Sequence, residues 1–593
     1  MLIVLAVLLF LLPAQAPSPP ATPQQLFISN CAGCHGEDAR GTAKGPALAM
    51  NPRVAAQSAE QLRAYLERGK VSDGMPSFAD LPAAERLALA RHLLRLNTDT
   101  ILAPPIEAES KITWGPPQPG DWLTYNGNQS GNRFSPLAQI TTANVSGLKL
   151  KWVFPIQYFG LETTPLAADG VIYVTGPNQV FALDALTGRA LWHYSRPASS
   201  GMSGDARLGT NRGVAILRDK VFFVTDNARL LALDRARGTL VWDTPIAPEA
   251  DPQPYGGTIA PLIVNDTVIV GVAGADQGIR GFVAAFRPDT GGLVWRRWTV
   301  PRRGEPGIES WQGAEPLAGG GSTWLTGSYD PSTGTLYWPT GNPWPSSDDS
   351  SRPGDNLYTN CVLALDATTG ALKWYFQFTP HDLKDRDATE PLVLVDAAYQ
   401  GTPAKLLLHA DRNGFFYVLD RTSGRLLMAS PFLRRIDWAS SIQPDGRPVI
   451  KDARGCPSDA ANWDATAFSP ETRLYYVMAL EECVGDKPGG YPDQTGQRFL
   501  RALNIETGEI VWEIPQPGSA RAKTWTGVLA TAGGLIFYGQ PNGSFAAVDE
   551  RDGRALWQFP TNVRMKASPM TFTVGGNQYV AVAAGPNILC FGL

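Results

Sequence analysis

The sequence predicts a mainly β fold class: an eight-bladed β-propeller with tryptophan-docking motifs, preceded by a small all-α domain. Three observations carry this reading. One strand–turn–strand pattern recurs seven times, the two ends of the repeat region read as complementary halves of an eighth unit, and a short segment with a paired-cysteine motif stands ahead of them. At 593 residues the chain exceeds one ordinary domain unless repeats build a single large unit. Its 44% apolar and 18% charged residues, with Gly 60 and Pro 49, describe a globular, loop-rich chain. Lys plus Arg number 51 against 55 Asp plus Glu, so the net charge is −4 and there is no basic field for a phosphate backbone. Nucleic acid is excluded as a partner class on that ground.

The first thirteen residues, MLIVLAVLLFLLP, are almost wholly apolar. They fall short of the roughly 20 residues that span a bilayer. Followed by Ala14-Gln15-Ala16, they read as a signal peptide over residues 1–16, with an uncleaved anchor as the alternative. Either way the body of the chain is exported, to the periplasm or outside the cell, and no later stretch is long and apolar enough to span a membrane.

Cys31 to His35 spell CAGCH, and C-x-x-C-H is the attachment signature of one covalent haem c. The thiols of Cys31 and Cys34 form thioethers to the porphyrin and His35 supplies an axial iron ligand. No second cysteine pair lies near enough for a zinc ribbon. The other axial ligand is assigned to the thioether of Met75, in GKVSDGMPSF, ahead of the competing Met50. Leu87, Leu89, Ala90, Leu93 and Leu94 at helical spacing predict a closing helix over 82–96, with His92 on its surface. Over residues 22–98 the segment resembles a small class I cytochrome c domain. Residues 99–120, with Pro104, Pro105, Pro116, Pro117 and Pro119, read as a semi-rigid linker.

The propeller is expected over 121–593. The repeat reads ALDALTGRALW to Trp192, ALDRARGTLVW to Trp242, AFRPDTGGLVW to Trp295, ALDATTGALKW to Trp374, VLDRTSGRLLM to Met428, ALNIETGEIVW to Trp512 and AVDERDGRALW to Trp557. Asp hydrogen-bonds its own turn backbone, Gly supplies a positive φ, and a large apolar residue ends the second strand. A further strand pair, such as GVIYVTG or KVFFVTD, precedes most copies, which makes four strands per repeat and therefore a blade. The eighth blade is expected from Leu148–Trp152 pairing with the run from Tyr579 to Leu593, which removes the open sheet edges. About 60 residues per blade exceed the 40–45 of WD-type blades, so the surplus lies in long loops, where sites are built.

The strings GLETTPL, TNRG, TIAPLIVNDTVIVGVAGADQGIRGFV, TGNPWP, FTPHDLKDRD, HADRNGFFYVLDR, GCPSDAANW and TWTGVLATAGGLIFYG run in this order through the propeller region. Together they resemble the quinoprotein alcohol dehydrogenases, the methanol-dehydrogenase-like family that uses pyrroloquinoline quinone (PQQ). PQQ is a flat tricyclic quinone with three carboxylates, so it needs stacking surfaces, cations and polar caps. By the resemblance, Trp324 is the stacking floor, and Arg212 and Thr258 are carboxylate partners, Arg being favoured for its planar donor fork. Arg412 falls beside the quinone oxygens, and Glu162, Asn462 and Trp525 make further cofactor contacts. One metal ion is implied against the quinone, held by Asp276, Asn342, Asp385 and Asp387. Asp385 matches the catalytic base that takes the alcohol proton, with Arg412 beside it. Asp387 resembles the lanthanide-using branch, because an extra carboxylate suits a trivalent ion; calcium is the alternative. Cys456 and Cys483 match a family disulfide, and Cys361 and Cys590 read as buried free thiols.

Five positions depart from the family pattern. Ala206 and Arg207 stand where adjacent cysteines form a disulfide ring over PQQ, and Ala273 replaces a serine that hydrogen-bonds a PQQ carboxylate. Lys384 replaces an aromatic residue before the base, where its charge is expected to pair with Asp385 or lower its pKa. Met428 replaces one docking tryptophan, a packing change. The resemblance implies a periplasmic quinohaemoprotein oxidising an alcohol to an aldehyde or ketone, with electrons passing through the haem to an external cytochrome, copper protein or quinone. A polyvinyl-alcohol-type or sugar dehydrogenase is the alternative, and a PQQ-binding redox sensor or non-catalytic propeller lies further off.

Overall fold

The computed structural model describes residues 22–98 except 38, 40, 43, 50, 52–53, 55–56 and 71–73, and residues 117–593 except 249–252, 313–317, 458, 483–496 and 518–525. The signal segment, Met50, Cys483, Trp525 and most of the proline-rich stretch therefore lie outside the described residues. The chain divides into two compact units, 1–102 and 103–593.

The N-terminal unit is helical, with Pro23–Asn30, Ala32–His35, Ala59–Arg68 and Ala83–Thr98. Two helices begin with reciprocal caps. Thr22 and Gln25 satisfy each other's backbone N–H groups ahead of the first, and Ser58 and Gln61 do so at Ala59–Arg68. The predicted closing helix is Ala83–Thr98. Its apolar stripe of Leu89, Ala90 and Leu93 is buried against Phe27, Leu62 and Leu66.

The second unit is an eight-bladed propeller of antiparallel sheets in chain order. Blades 1 to 6 span 166–195, 215–245, 262–298, 328–377, 393–431 and 467–515. Blade 7, 528–560, gains a fifth, parallel strand from Phe134–Ser135. Blade 8, 570–592, is completed by Lys149–Pro155, which pairs antiparallel with Asn587–Gly592. The chain ends thus close the ring as the sequence predicts, the N-terminal strand supplying the fourth strand of blade 8. Gly120 already belongs to this unit, since Thr573 N–H donates to its carbonyl at 3.0 Å.

The recurring tryptophans join neighbouring blades. Trp192 Nε1–H donates to Arg235 O of the next blade at 2.9 Å, and its ring covers Gly238, where a Cβ would come within 2.4 Å of the indole. Gly238 has φ +70°, so the turn that receives the ring needs glycine for conformation and for space. The same geometry joins Trp152 to Ala185 and Gly188, Trp242 to Pro288 and Gly291, Trp295 to Ala367 and Gly370, and Trp512 to Glu550 and Gly553. Trp557 Nε1–H donates to Leu148 O at 3.3 Å and closes the circle. At the substituted position Met428 packs its sulfur beside Gly508, so apolar contact is kept and only the indole donor is lost. Cys361 and Cys590 are buried free thiols, as expected.

Candidate active site

Antiparallel strands send the link entering each blade and the turn between its second and third strands to the same end of the propeller. Connections from blades 1 to 6 meet there in one cleft. Thr258, Asp276, Trp324, Asn342, Asp385, Asp387 and Arg412 all line it. Glu162 and Arg212 lie behind this lining, their side chains 3% and 1% exposed. Asn462 reaches it through Arg412. Trp525 lies outside the described residues.

Arg412 organises the acidic side of the cleft. Its terminal nitrogens donate to Asp385 O at 2.9 Å and Asn462 Oδ1 at 3.0 Å. Carboxylate oxygens of Asp387 and Glu390 lie 3.4 Å away, and those of Asp385 and Asp459 lie 3.8 Å away. Burial alone would lower the pKa of this guanidinium, but the surrounding carboxylates, Asp387 foremost, raise it on balance.

Asp385 sits in the left-handed backbone region with φ +59°, a conformation short polar side chains tolerate. Its carbonyl is held by Arg412, while half of its side chain opens to the cleft. Desolvation at the foot of the cleft and the neighbouring Asp387 charge push its carboxyl well above the usual range, with Arg412 opposing. Arg412 is the cation that opposes this rise. Asp387 Oδ1 accepts from Asn342 N–H at 2.6 Å and Oδ2 from Trp324 Nε1–H at 3.3 Å. Burial raises it to about 6. Asn342 Nδ2–H donates to Asp276 Oδ1 at 3.3 Å, so the four expected metal ligands share one wall. Asp276, Asp385 and Asp387 do not, however, bring their oxygens within 4.8 Å of one another. Among the described residues that spacing is met by Glu390, His409 and Asp411.

Next to this wall the site is aromatic and cationic. The Arg212 guanidinium lies 4.8 Å from the Trp324 ring centre and 5.5 Å from that of Trp463, and the two indoles meet edge to face at 6.4 Å. Arg212 is 2.8 Å from Glu162, with Lys566 at 3.6 Å on its other oxygen. Arg212 Nε and Thr258 Oγ1 are buried without a hydrogen-bond partner. Buried polar atoms left open beside a flat aromatic floor fit a planar ligand carrying carboxylates. Ala206, on the turn Gly204–Arg207, packs so close to Gly256 that a Cβ there would come within 2.8 Å of it, and Ala273 lines the same cleft. Arg207 is exposed.

In the N-terminal unit, Cys31, Cys34 and His35 lie on and just before one helical turn, Cys31 buried and Cys34 exposed. His35 Nδ1 is 2.7 Å from Pro46 O, which leaves Nε2 as the ring nitrogen for a ligand bond, and Gly45 leaves the ring room where a Cβ would sit 3.0 Å from it. Met75 bridges to Lys70 and packs on the same apolar cluster as Cys31. The paired thiols, the anchored imidazole and the thioether on one cluster fit a covalent haem. His92 is not simply on the surface: it is half-buried, with its ring 5.8 Å from that of Phe27.

Sequence reasoning missed Trp463, Lys566 and the Glu390–His409–Asp411 cluster. Trp463 directly follows Asn462 and was within reach of the sequence. The cluster was not, because a strand pair separates its members.

The family model of the glucose/ethanol/alcohol dehydrogenase β-propeller domain that uses PQQ matches residues 122–430 and 522–580. The model of cytochrome c oxidase, cbb3-type, subunit III matches residues 18–93. The quinohemoprotein alcohol dehydrogenase ADH IIB of Pseudomonas putida is 37% identical over 79% of this chain and 73% of its own length. The solved quinohemoprotein alcohol dehydrogenase of Comamonas testosteroni superposes with a TM-score of 0.74 at 31% identity, over 80% of each chain. A europium-containing methanol dehydrogenase does so at 0.72 and 30%, over 80% of this chain and 98% of its own.

Proposed function

The chain belongs to the PQQ-dependent alcohol dehydrogenase family, in its quinohaemoprotein form with a cytochrome c domain, and from that premise we propose that Asp385 is the base of a periplasmic alcohol oxidation. The observation that carries this is the placement of Asp385: a carboxyl half open to the cleft, fixed through its backbone by Arg412, on the same cleft lining as Trp324.

Bound in these sites, PQQ supplies the hydride acceptor, the metal a polarising charge and haem c a one-electron outlet to an external acceptor. Asp385 accepts the proton from the alcohol oxygen as the carbonyl product forms. Arg412 sets the direction of Asp385 through its backbone carbonyl and would place its positive charge beside the quinone. Arg212, Thr258 and Lys566 would meet the PQQ carboxylates, with Glu162 holding Arg212 in place, and Trp324 and Trp463 would bound the ring system. Asn462 and Trp525 complete the set of cofactor contacts. Asp276, Asn342, Asp385 and Asp387 would hold the metal, a lanthanide ahead of calcium, with the three carboxylates drawn together around it; the additional carboxylate of Asp387 supports that order, and so does the similarity to a europium-containing enzyme. Cys31, Cys34, His35 and Met75 hold the haem. Residues 1–16 direct export, 99–120 tether the cytochrome domain to the propeller, and Cys456 pairs with Cys483. Among the described residues no helix is long and apolar enough to cross a membrane.

The test is reconstitution of the purified protein with PQQ and either calcium or lanthanum, followed by primary, secondary and sugar alcohols while the reduced-haem band is watched. Reduction by one alcohol class supports the reading and names the substrate. Bound PQQ with no reduction by any alcohol refutes it.

A further inference from the structure

We propose that Glu390, backed by His409 and Asp411, is a positioning residue that fixes the Arg412 guanidinium against the cleft. The inference rests on the reading that Arg412 acts at the reacting centre. Glu390, His409 and Asp411 are each at most 1% exposed and lie beneath the cleft rather than on its lining. Glu390 precedes blade 5, His409 is the penultimate residue of its second strand (Thr402–Ala410), and Asp411 and Arg412 lie in the turn that follows.

Neither Glu390 oxygen has a hydrogen-bond partner. A buried carboxylate in that state needs compensating charge. Its cationic neighbour is Arg412, whose Nε lies 3.4 Å from Oε1, and on the other side His409 Nε2 is 3.7 Å from Oε2. His409 is itself fixed, with Nε2 3.1 Å from Asp411 Oδ2 and its ring 4.3 Å from that of Phe378. Asp411 Oδ1 accepts from Asn413 N–H at 2.8 Å.

A guanidinium is a rigid plane with donors on three nitrogens. Arg412 commits its two terminal nitrogens to Asp385 O and Asn462 Oδ1 on the cleft side, and Glu390 faces the third from behind. Two hydrogen bonds on the cleft side and the Glu390 charge behind Nε, an ion contact without a hydrogen bond, together restrict its rotation. The cluster has the spacing of a metal site, but the Arg412 charge 3.4 Å from Glu390 already occupies the cationic role there.

The test is a double-mutant cycle on the full-length haem protein, with Glu390→Gln, Arg412→Ala and the pair together. Two readouts are taken: PQQ affinity from quenching of tryptophan fluorescence, and kcat and KM for whichever alcohol reduces the wild-type haem fastest. Glu390→Gln alone is expected to lower kcat about 10-fold and weaken PQQ about 3-fold with KM nearly unchanged, but to add less than about 2-fold to either readout once Arg412 is gone. Equal losses in both backgrounds, or no loss from Glu390→Gln alone, would overturn the proposal. If Arg412→Ala itself changes neither readout, the reading of Arg412 fails and takes the proposal with it. Should Glu390→Gln not fold, His409→Gln enters the same cycle with the same expectation.

Discussion

Arg212 is paired with Glu162 at 2.8 Å inside the propeller, where the two side chains are 1% and 3% exposed, and its guanidinium also lies over the Trp324 ring. Removing Arg212 leaves the buried Glu162 carboxylate with only the more distant, partly exposed Lys566 at 3.6 Å, and breaking such a buried pair costs about 3–5 kcal/mol. Arg212→Ala should therefore lower stability by that order, read by thermal unfolding, and weaken PQQ at least about 10-fold by fluorescence titration. Undiminished PQQ affinity in a folded variant would remove Arg212 from the cofactor site.

Trp192 joins blade 1 to blade 2 through one hydrogen bond and the cover it gives Gly238. Trp192→Ala opens a cavity between blades and is expected to cost about 3–5 kcal/mol. Trp192→Met, the residue type found at the equivalent position 428, should recover most of that loss, as judged by the denaturation midpoint.

Asp464 supports the backbone of Asn462, whose N–H donates to its Oδ1 at 3.1 Å. Burial holds the Asp464 carboxyl up at about 7, against the opposing charge of Arg498. In the unfolded chain it ionises near 3.9. Between those values the folded state binds the extra proton, so stability falls as pH rises from about 4 to about 7, by at most about 1.4 kcal/mol per pH unit. Asp464→Asn should flatten that slope in urea melts run across the window; an unchanged slope would place the titration elsewhere.

Asp387 gives its oxygens to Asn342 N–H and Trp324 Nε1–H beside Asp276 and Asp385. Asp387→Ala removes one hard ligand and one charge, which a trivalent ion misses more than a divalent one. Lanthanum-supported haem reduction should fall at least about 10-fold while calcium-supported reduction falls less. Equal activity with both ions before and after the change would refute the preference for a lanthanide.

The blade architecture was legible because each repeat writes its own docking contact: Asp and Gly in the turn, and Trp at the end of the strand that meets the next turn. Closure by the chain ends was legible from the same pattern. The wall of Asp276, Asn342, Asp385 and Asp387 could be placed from its motifs, since each sits in a short string at a blade connection. The tuning of Asp385 could not: Lys384 is adjacent in sequence, yet burial and Asp387 set the direction. Glu390 and His409 were equally invisible, because their contact is made through the pairing of two strands and carries no local spacing.

The central claim is that Asp385 takes the alcohol proton. Its most direct test is haem reduction in Asp385→Ala loaded with PQQ and metal, with the haem spectrum and PQQ affinity measured alongside. The account predicts an intact haem spectrum, bound PQQ and alcohol-dependent reduction at least about 100-fold slower than wild type. Reduction at the wild-type rate in that variant would contradict it.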